Sequence, residues 1–289
     1  MKWGKVNLQR QSGFSLVELM VAGVISMILS MIVIQIMSSS NTRTARSDGS
    51  AQAQETGRFA MAWLVGEVRR AGYTPDLDEE RIPPFANLCT QNIQPPADNA
   101  DCTFESTDPT ANDRIAVRRS FSSTSGNARD QQDCTGTDVS AAMSEEDVIV
   151  DVYWVERDSD EDDDDAFDDV LKCVSYDEST HTVIANTTQQ VIASGIEGLQ
   201  VLYAESPTGT EKNVTRYVAA AGNAIQFGST GFEMENVMAI RIGILARSFS
   251  DNALTENTRS YILMDADPYT FNDRVNRQVV VTTVFSSNY

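Results

Sequence analysis

Histidine is almost missing from this 289-residue chain: His181 stands alone. A serine–histidine–acid arrangement would have to be built on that residue, and Ser179-Thr180-His181-Thr182 reads as an ordinary turn. Neither a Gly-x-Ser-x-Gly elbow, a phosphate-binding glycine loop nor a His-Glu-x-x-His helix occurs, so the chain is expected not to be an enzyme. Bases are scarce as well. The 22 Lys and Arg face 42 Asp and Glu, a formal net charge of −20. A nucleic-acid footprint needs a clustered basic face. The densest basic spots, Arg69-Arg70 and Arg114/Arg118/Arg119, are short and flanked by apolar residues. They read as a solvated helix or strand face, and no direct nucleic-acid contact is expected. No Cys-x-x-Cys pair occurs among the four cysteines, so no zinc site is expected. There is no internal repeat.

What stands out against these absences is one long apolar run. From Phe14 to Met37 there are 24 residues, and Glu18 is the only charged one. At about 1.5 Å per residue, a helix of that length covers roughly 36 Å, enough for a hydrocarbon core of about 30 Å. An acid inside such a span costs about 2.5–3.5 kcal/mol on insertion scales, so it calls for a reason. Ahead of the run, residues 1–13 carry Lys2, Lys5 and Arg10 and no acid. The basic end is expected to stay cytoplasmic while the rest crosses the inner membrane. An ordinary secretory signal has a shorter apolar core with its cleavage site after it. A plain single-span anchor explains the length and leaves Glu18 without a purpose. A precursor cut between Gly13 and Phe14 explains both, because the helix is then retained.

Gly13-Phe14-Ser15-Leu16-Val17-Glu18, opening that run, resembles the class III leader of type IV pilins and pseudopilins. The resemblance implies that a prepilin peptidase cuts after Gly13 and methylates the new amino terminus at Phe14. It also implies that Glu18 sets the assembly register by pairing with the terminal amine of a neighbouring subunit. The physics agrees, since an ammonium and a carboxylate in lipid each gain from meeting and a lone partner is penalised. The family usually has a basic residue directly before the glycine, whereas here Gln11 and Ser12 separate Arg10 from Gly13.

Removing residues 1–13 leaves 42 acids against 19 bases, or −23. The four cysteines Cys89, Cys102, Cys134 and Cys173 fall in the exported part, where an oxidising compartment permits disulfides. Three pairings are open. Cys89–Cys102 with Cys134–Cys173 is favoured, because the first closes a short loop rich in Pro, Asn and Asp. Such a closure stabilises by about 3 kcal/mol in the chain-entropy picture. The alternative is free buried thiols.

After the run, Ala60, Met61, Leu64, Val65 and Val68 recur at helical spacing. Residues 14–71 therefore read as one helix, with 14–37 transmembrane and a loosening near Asp48-Gly49-Ser50. Gly72 and Pro75 stop it. Residues 73–140 read as irregular apart from a strand at Arg114–Phe121. Val148–Glu156, Val170–Tyr176, Gly198–Ala204, Val237–Arg247, Ser260–Met264 and Val279–Phe285 read as strands. The expected class is α+β: a long N-terminal transmembrane and amphipathic helix packed on an antiparallel β-sheet, the shape of the pilin lollipop fold. The expected organisation is a leader at 1–13, the helix at 14–71 and a periplasmic, disulfide-tied, β-rich domain at 72–289. Between two strands, Asp158–Asp169 holds nine carboxylates in twelve residues. Calcium is a candidate ligand there, through Asp160, Asp162 and Asp164. No EF-hand spacing supports it, so a self-repelling solvated loop is the default. No other cofactor is expected.

Several segments resemble the PilW family of minor pilins: the leader, Gly57-Arg58-Phe59-Ala60 through Tyr73, Gly195 through Tyr203, Val237 through Arg247, and Asn272 through Val284. Residues 76–190 carry no motif of that kind. The resemblance implies a minor subunit that primes pilus assembly and stays at the fibre tip, in pili that serve twitching motility, adhesion and DNA uptake. It further implies other minor pilins, the major pilin, the prepilin peptidase and the assembly platform as partners. The implied location is the inner membrane with a periplasmic domain, then the cell-surface fibre. Two alternatives stand: a large type II secretion pseudopilin, and a pilus-tip adhesin or DNA receptor.

Overall fold

The computed structural model of the protein describes residues 13–75, 82–85, 103, 105, 112–145, 147–156, 169–180, 182–185, 187–205, 214, 216–220, 237–249 and 256–286. A single helix, α1, runs through Leu16–Val68, and the chain divides into two units after Ala45. In the first unit the helix is long and apolar enough to span a membrane and buries none of its apolar window. A helix apolar on every side belongs in lipid or in a helix-packed core. Some of its hydroxyls bond back onto the backbone: Ser30 Oγ donates to the Ser26 carbonyl at 2.8 Å, and Thr42 and Thr44 do the same four residues back. Such back-bonding lets a hydroxyl sit in apolar surroundings without losing its hydrogen bond.

In the second unit the same helix becomes one-sided. Gly49, Ala53, Gly57, Ala60, Met61, Leu64 and Val68 are buried along one stripe. The stripe starts small and ends large, so the early turns come closest to the strands beneath them. A Cβ on Gly57 would sit 2.9 Å from Val280 Cγ2 and 3.1 Å from Ala246 Cβ. Only glycine permits that approach. The helix is continuous through Asp48-Gly49-Ser50 rather than loosened there. The cause is tertiary: Gln278 Nε2 donates to Ser50 Oγ at 3.3 Å, and Asn276 Nδ2 donates to the Arg46 carbonyl at 3.0 Å. The helix also ends at Val68, short of residue 71. Gly72 turns the chain at φ 72° and donates its N–H to the Arg118 carbonyl.

Two antiparallel sheets receive this stripe, and a hairpin lies on the reverse of the second. The first sheet holds β1 (Arg114–Ser120), β2 (Val148–Glu156), β3 (Val170–Asp177), β4 (Thr182–Val183) and β5 (Gln190–Ser194). Its order is β1-β2-β3-β4, with β5 also paired to β3. The second, of β6 (Ile196–Glu205), β7 (Arg216–Val218), β8 (Val237–Arg247) and β11 (Arg277–Phe285), has the order β11-β8-β6-β7. The hairpin pairs β9 (Asn257–Tyr261) with β10 (Tyr269–Asp273). One main core joins Ala60, Met61, Leu64 and Val68 of the helix to Ile115, Val117, Tyr153 and Leu171 of the first sheet and to Val201, Ile240, Ile242 and Ile244 of the second. Burying a side chain such as Leu64 contributes about 1.5–3 kcal/mol. On the reverse of the second sheet, Leu245 packs with Leu263, Ala266 and Tyr269. There Gly243 makes room for Leu263 and Met264, each 2.9 Å from where its Cβ would lie.

Several expectations need correcting. The strand expected at Ser260–Met264 lies at Asn257–Tyr261, because Leu263 turns inward to fill the reverse of the sheet. Strands β4, β5, β7 and β10 and a 3-10 turn at Ala128–Gln131 were not expected at all. The single sheet is two sheets. Arg114 and Arg119 are buried rather than solvated, each on a strand whose two faces are both covered. The glycine contact yields a direct test: Gly57→Leu should destabilise the folded protein by about 1–3 kcal/mol through overpacking, read as a lowered denaturant midpoint in detergent-solubilised full-length protein.

Candidate functional site

At the start of α1, Ser15 and Glu18 cap the helix reciprocally. Ser15 N–H donates to Glu18 Oε2 at 2.9 Å, and Glu18 N–H donates to Ser15 Oγ at 3.2 Å. Ser-x-x-Glu at a helix start is a capping box, in which two orphan amide donors are satisfied at once. This folds the Glu18 carboxylate back toward Phe14, the residue expected to carry the new amine. Ser15-Leu16-Val17-Glu18 carries this pattern in the sequence, and hydropathy alone singles out Glu18 without Ser15. A Cβ at Gly13 would meet nothing within 4 Å, so packing imposes no glycine there. Phe14 is exposed.

The globular unit holds its charges in two buried networks. In the first, Arg277 grips two carboxylates. Its Nη2 lies 2.8 Å from Glu197 Oε1 and 2.6 Å from Asp273 Oδ2, and its Nη1 lies 2.9 Å from Asp273 Oδ1. The guanidinium stacks 3.6 Å above the Phe271 ring. Arg247 adds contacts to Asp169 at 3.4 Å and Glu197 at 3.6 Å. Burial works against the Arg277 charge, yet its hydrogen bonds with Glu197 and Asp273 hold the pKa above the ordinary value. For Asp273 burial pushes up, and the Arg277 hydrogen bond outweighs it to leave the carboxyl low.

The second network joins the helix end to the first sheet. Arg119 Nε donates to Asp151 Oδ2 at 2.7 Å, and Ser175 Oγ donates to Asp151 Oδ1. Cys134 N–H donates to Ser175 Oγ at 2.9 Å. Cys134 and Cys173 form a disulfide with their Cα atoms 6.4 Å apart, so this staple and the buried ion pair secure the same place. Glu67, bonded to Arg70 Nη1 at 2.8 Å, lies beside them. Burial raises its pKa while Arg70 pulls the other way.

Glu105 is a third buried acid, and neither of its oxygens finds a well-formed hydrogen bond among the described residues. Burial, then the nearby Asp265 charge, raise its pKa to about 7, with weaker polar contacts to the Ala220 backbone and Asp113 pulling down. No group of three or more His, Cys, Asp or Glu placed to hold a metal occurs among the described residues. Cys89, Cys102, His181 and the calcium candidates Asp160, Asp162 and Asp164 lie outside those residues. Of the acidic run only Asp169 is described, and it faces Arg247.

Two tests follow from these charges. Arg277→Ala leaves Glu197 buried without its main partner and should cost about 3–5 kcal/mol, measurable by chemical denaturation. The Glu105 shift is upward, so its contribution to stability is fully present below the ordinary value of 4.5 and is lost as pH rises through about 7. Glu105→Gln should remove that loss, so its thermal midpoint should fall less than wild type between pH 5 and 8 by circular dichroism.

A family model described as Type IV Pilus-assembly protein W matches residues 152–288. Another, described as Prokaryotic N-terminal methylation motif, matches residues 8–34. The first match begins at Val152, so the likeness extends into the 76–190 stretch that carries no recognised motif. No curated protein matches the chain. Among solved structures the chain is similar to the Type IV-like pilin TTHA1219 from Thermus thermophilus, at 14% identity and a TM-score of 0.44, covering 81% of this chain and 97% of that one.

Proposed function

The chain is a PilW-type, type IV pilin-like protein, and from that premise we propose that it acts as a minor subunit that primes pilus assembly and stays at the fibre tip. The observation that carries this reading is the start of α1. A lone acid in a membrane-length helix is folded back by Ser15 toward the residue that processing would expose. In lipid, the strongest reason for an acid at that place is a cation arriving beside it. The amine of a processed Phe14 on a neighbouring subunit is such a cation. Before assembly the capping box occupies Glu18 Oε2 with the Ser15 N–H, which lowers the cost of holding the acid in lipid until a partner arrives.

Tip placement is supported by size. A large globular unit with two sheets and a hairpin need not repeat along a shaft if it caps the end. Processing by the prepilin peptidase, insertion in the inner membrane and a periplasmic location for the globular unit belong to the same reading. The described charges do not gather into a catalytic constellation: each buried acid network is closed by an arginine or, at Glu105, faces other acids. Twitching, adhesion and DNA uptake would then be functions of the fibre this subunit helps to start.

The test separates the charge of Glu18 from its capping role. Glutamine at the third helical position preserves a capping box, so Glu18→Gln keeps the helix start and removes only the charge. Both Glu18→Gln and Glu18→Ala are expected to insert in the membrane yet be lost from sheared fibres. Normal incorporation of Glu18→Gln would sink the pairing role. Mass spectrometry of membrane-extracted protein should find the chain starting at N-methylated Phe14.

A further inference from the structure

The reverse face of the second sheet is only partly covered. The β9–β10 hairpin packs over Leu245 and Gly243. Beyond it, alternate residues of the outer strand β11 stand in solvent: Val279 is 36% exposed, Val281 49% and Phe285 64%. In the register of the sheet, Val281 pairs with Gly243, Thr283 with Arg241 and Phe285 with Ala239. Arg241 therefore stands on this face, flanked by Thr283, and Tyr217 of β7 lies on its other side. The Arg241 guanidinium sits 4.7 Å from the Tyr217 ring centroid, and its Nε donates to Thr283 Oγ1 at 3.4 Å. No carboxylate pairs with Arg241 among the described residues. In a chain of net charge −20, the buried Arg119, Arg247 and Arg277 each meet an acid, whereas Arg241 is exposed and lies against an aromatic ring.

We propose that this face of β11, β8 and β7 is a docking surface for the globular domain of a different subunit, whose contact area is apolar and carries a carboxylate that meets Arg241. The composition fits an anchor patch: an aromatic pair, branched aliphatics and one arginine held in place before contact. Charge decides among the possible occupants. A second copy docking through the same face would make an isologous contact, and Val279, Val281, Thr283, Phe285 and Tyr217 on that face offer Arg241 no carboxylate. Anionic lipid is repelled by the same net charge, and a single arginine is no nucleic-acid footprint. An apolar protein surface that carries a single carboxylate satisfies both the valines and the cation. The inference rests on the reading that this chain assembles with other subunits, and it names where one of them would sit.

The test uses the full-length chain in cells that make the fibre. Val281 is replaced by a photoreactive phenylalanine analogue, with the same replacement at exposed Val191 on the other sheet as control. Position 281 should cross-link to a different processed subunit, identified by mass and by its own methylated start, and position 191 should not. Adding Arg241→Glu should lower the yield by about fivefold, the scale of one charge pair at a partly wet contact. Reversing the contacted carboxylate to arginine should restore it. Retention of the Cys134–Cys173 disulfide on non-reducing gels shows that the variants are folded. Cross-links to a second copy, to lipid or to nothing, or a yield indifferent to Arg241→Glu, overturn the proposal. Should the protein enter fibres in that case, the assembly role stands without this surface. Should it never be processed at Phe14 nor reach fibres, the assembly reading fails and this surface with it.

Discussion

The seam between the second half of α1 and the strands beneath it is the contact on which the globular unit depends. Gly57 allows the helix to descend onto Val280 and Ala246, and Met61, Leu64 and Val68 then reach a core shared by both sheets. Since β8 and β11 contact the helix while β1 and β2 close the core from the other sheet, neither sheet has a complete apolar interior without the helix stripe. A side chain at position 57 would lift the helix by a few tenths of an ångström or more and loosen contacts along the following turns. Close-packed interiors transmit such strain rather than absorb it.

Part of the charge is buried around that seam. Arg119 and Asp151 lie under the helix end beside the Cys134–Cys173 disulfide, while Arg277, Glu197 and Arg247 knit the far ends of β6, β8 and β11. Such pairs add little over an apolar core of the same volume, and breaking one is costly. Their effect is on uniqueness: a one-residue slip of β11 against β8 would carry Arg277 away from Glu197 and cost the buried acid its main partner. The register that places Arg241 and Val281 on the open face is thus defended by charges at the other end of the same strands.

Element types were legible wherever periodicity was strong. The apolar run, the helical spacing of Ala60 to Val68 and the aliphatic strands β2, β3, β8 and β11 were readable from pattern. Short strands were not: Thr182–Val183 and Arg216–Val218 carry too few residues to display a period. The arginines of β1 looked like a solvated face because Arg-Ile-Ala-Val-Arg-Arg-Ser has no clean alternation. A strand covered on both sides need not alternate, and a buried arginine cannot be told from an exposed one without its acid. At the helix start, the lone Glu18 was visible from hydropathy, while its bond to Ser15 depended on seeing where the helix began.

Local chemistry written in order along the chain therefore came from the sequence: a basic start, a small residue, an apolar helix with one acid, and then a series of strands. Those features act over a few neighbouring residues, so their spacing carries the information. Cys134–Cys173 was favoured by the sequence and is formed, whereas which distant arginine meets which carboxylate and which face of the last strand is left open are pairings between residues 30 to 80 positions apart. Such pairings are chosen by how the sheets and the helix stripe close on one another, because burial and charge compensation are satisfied in space and leave no periodic trace in the order of residues.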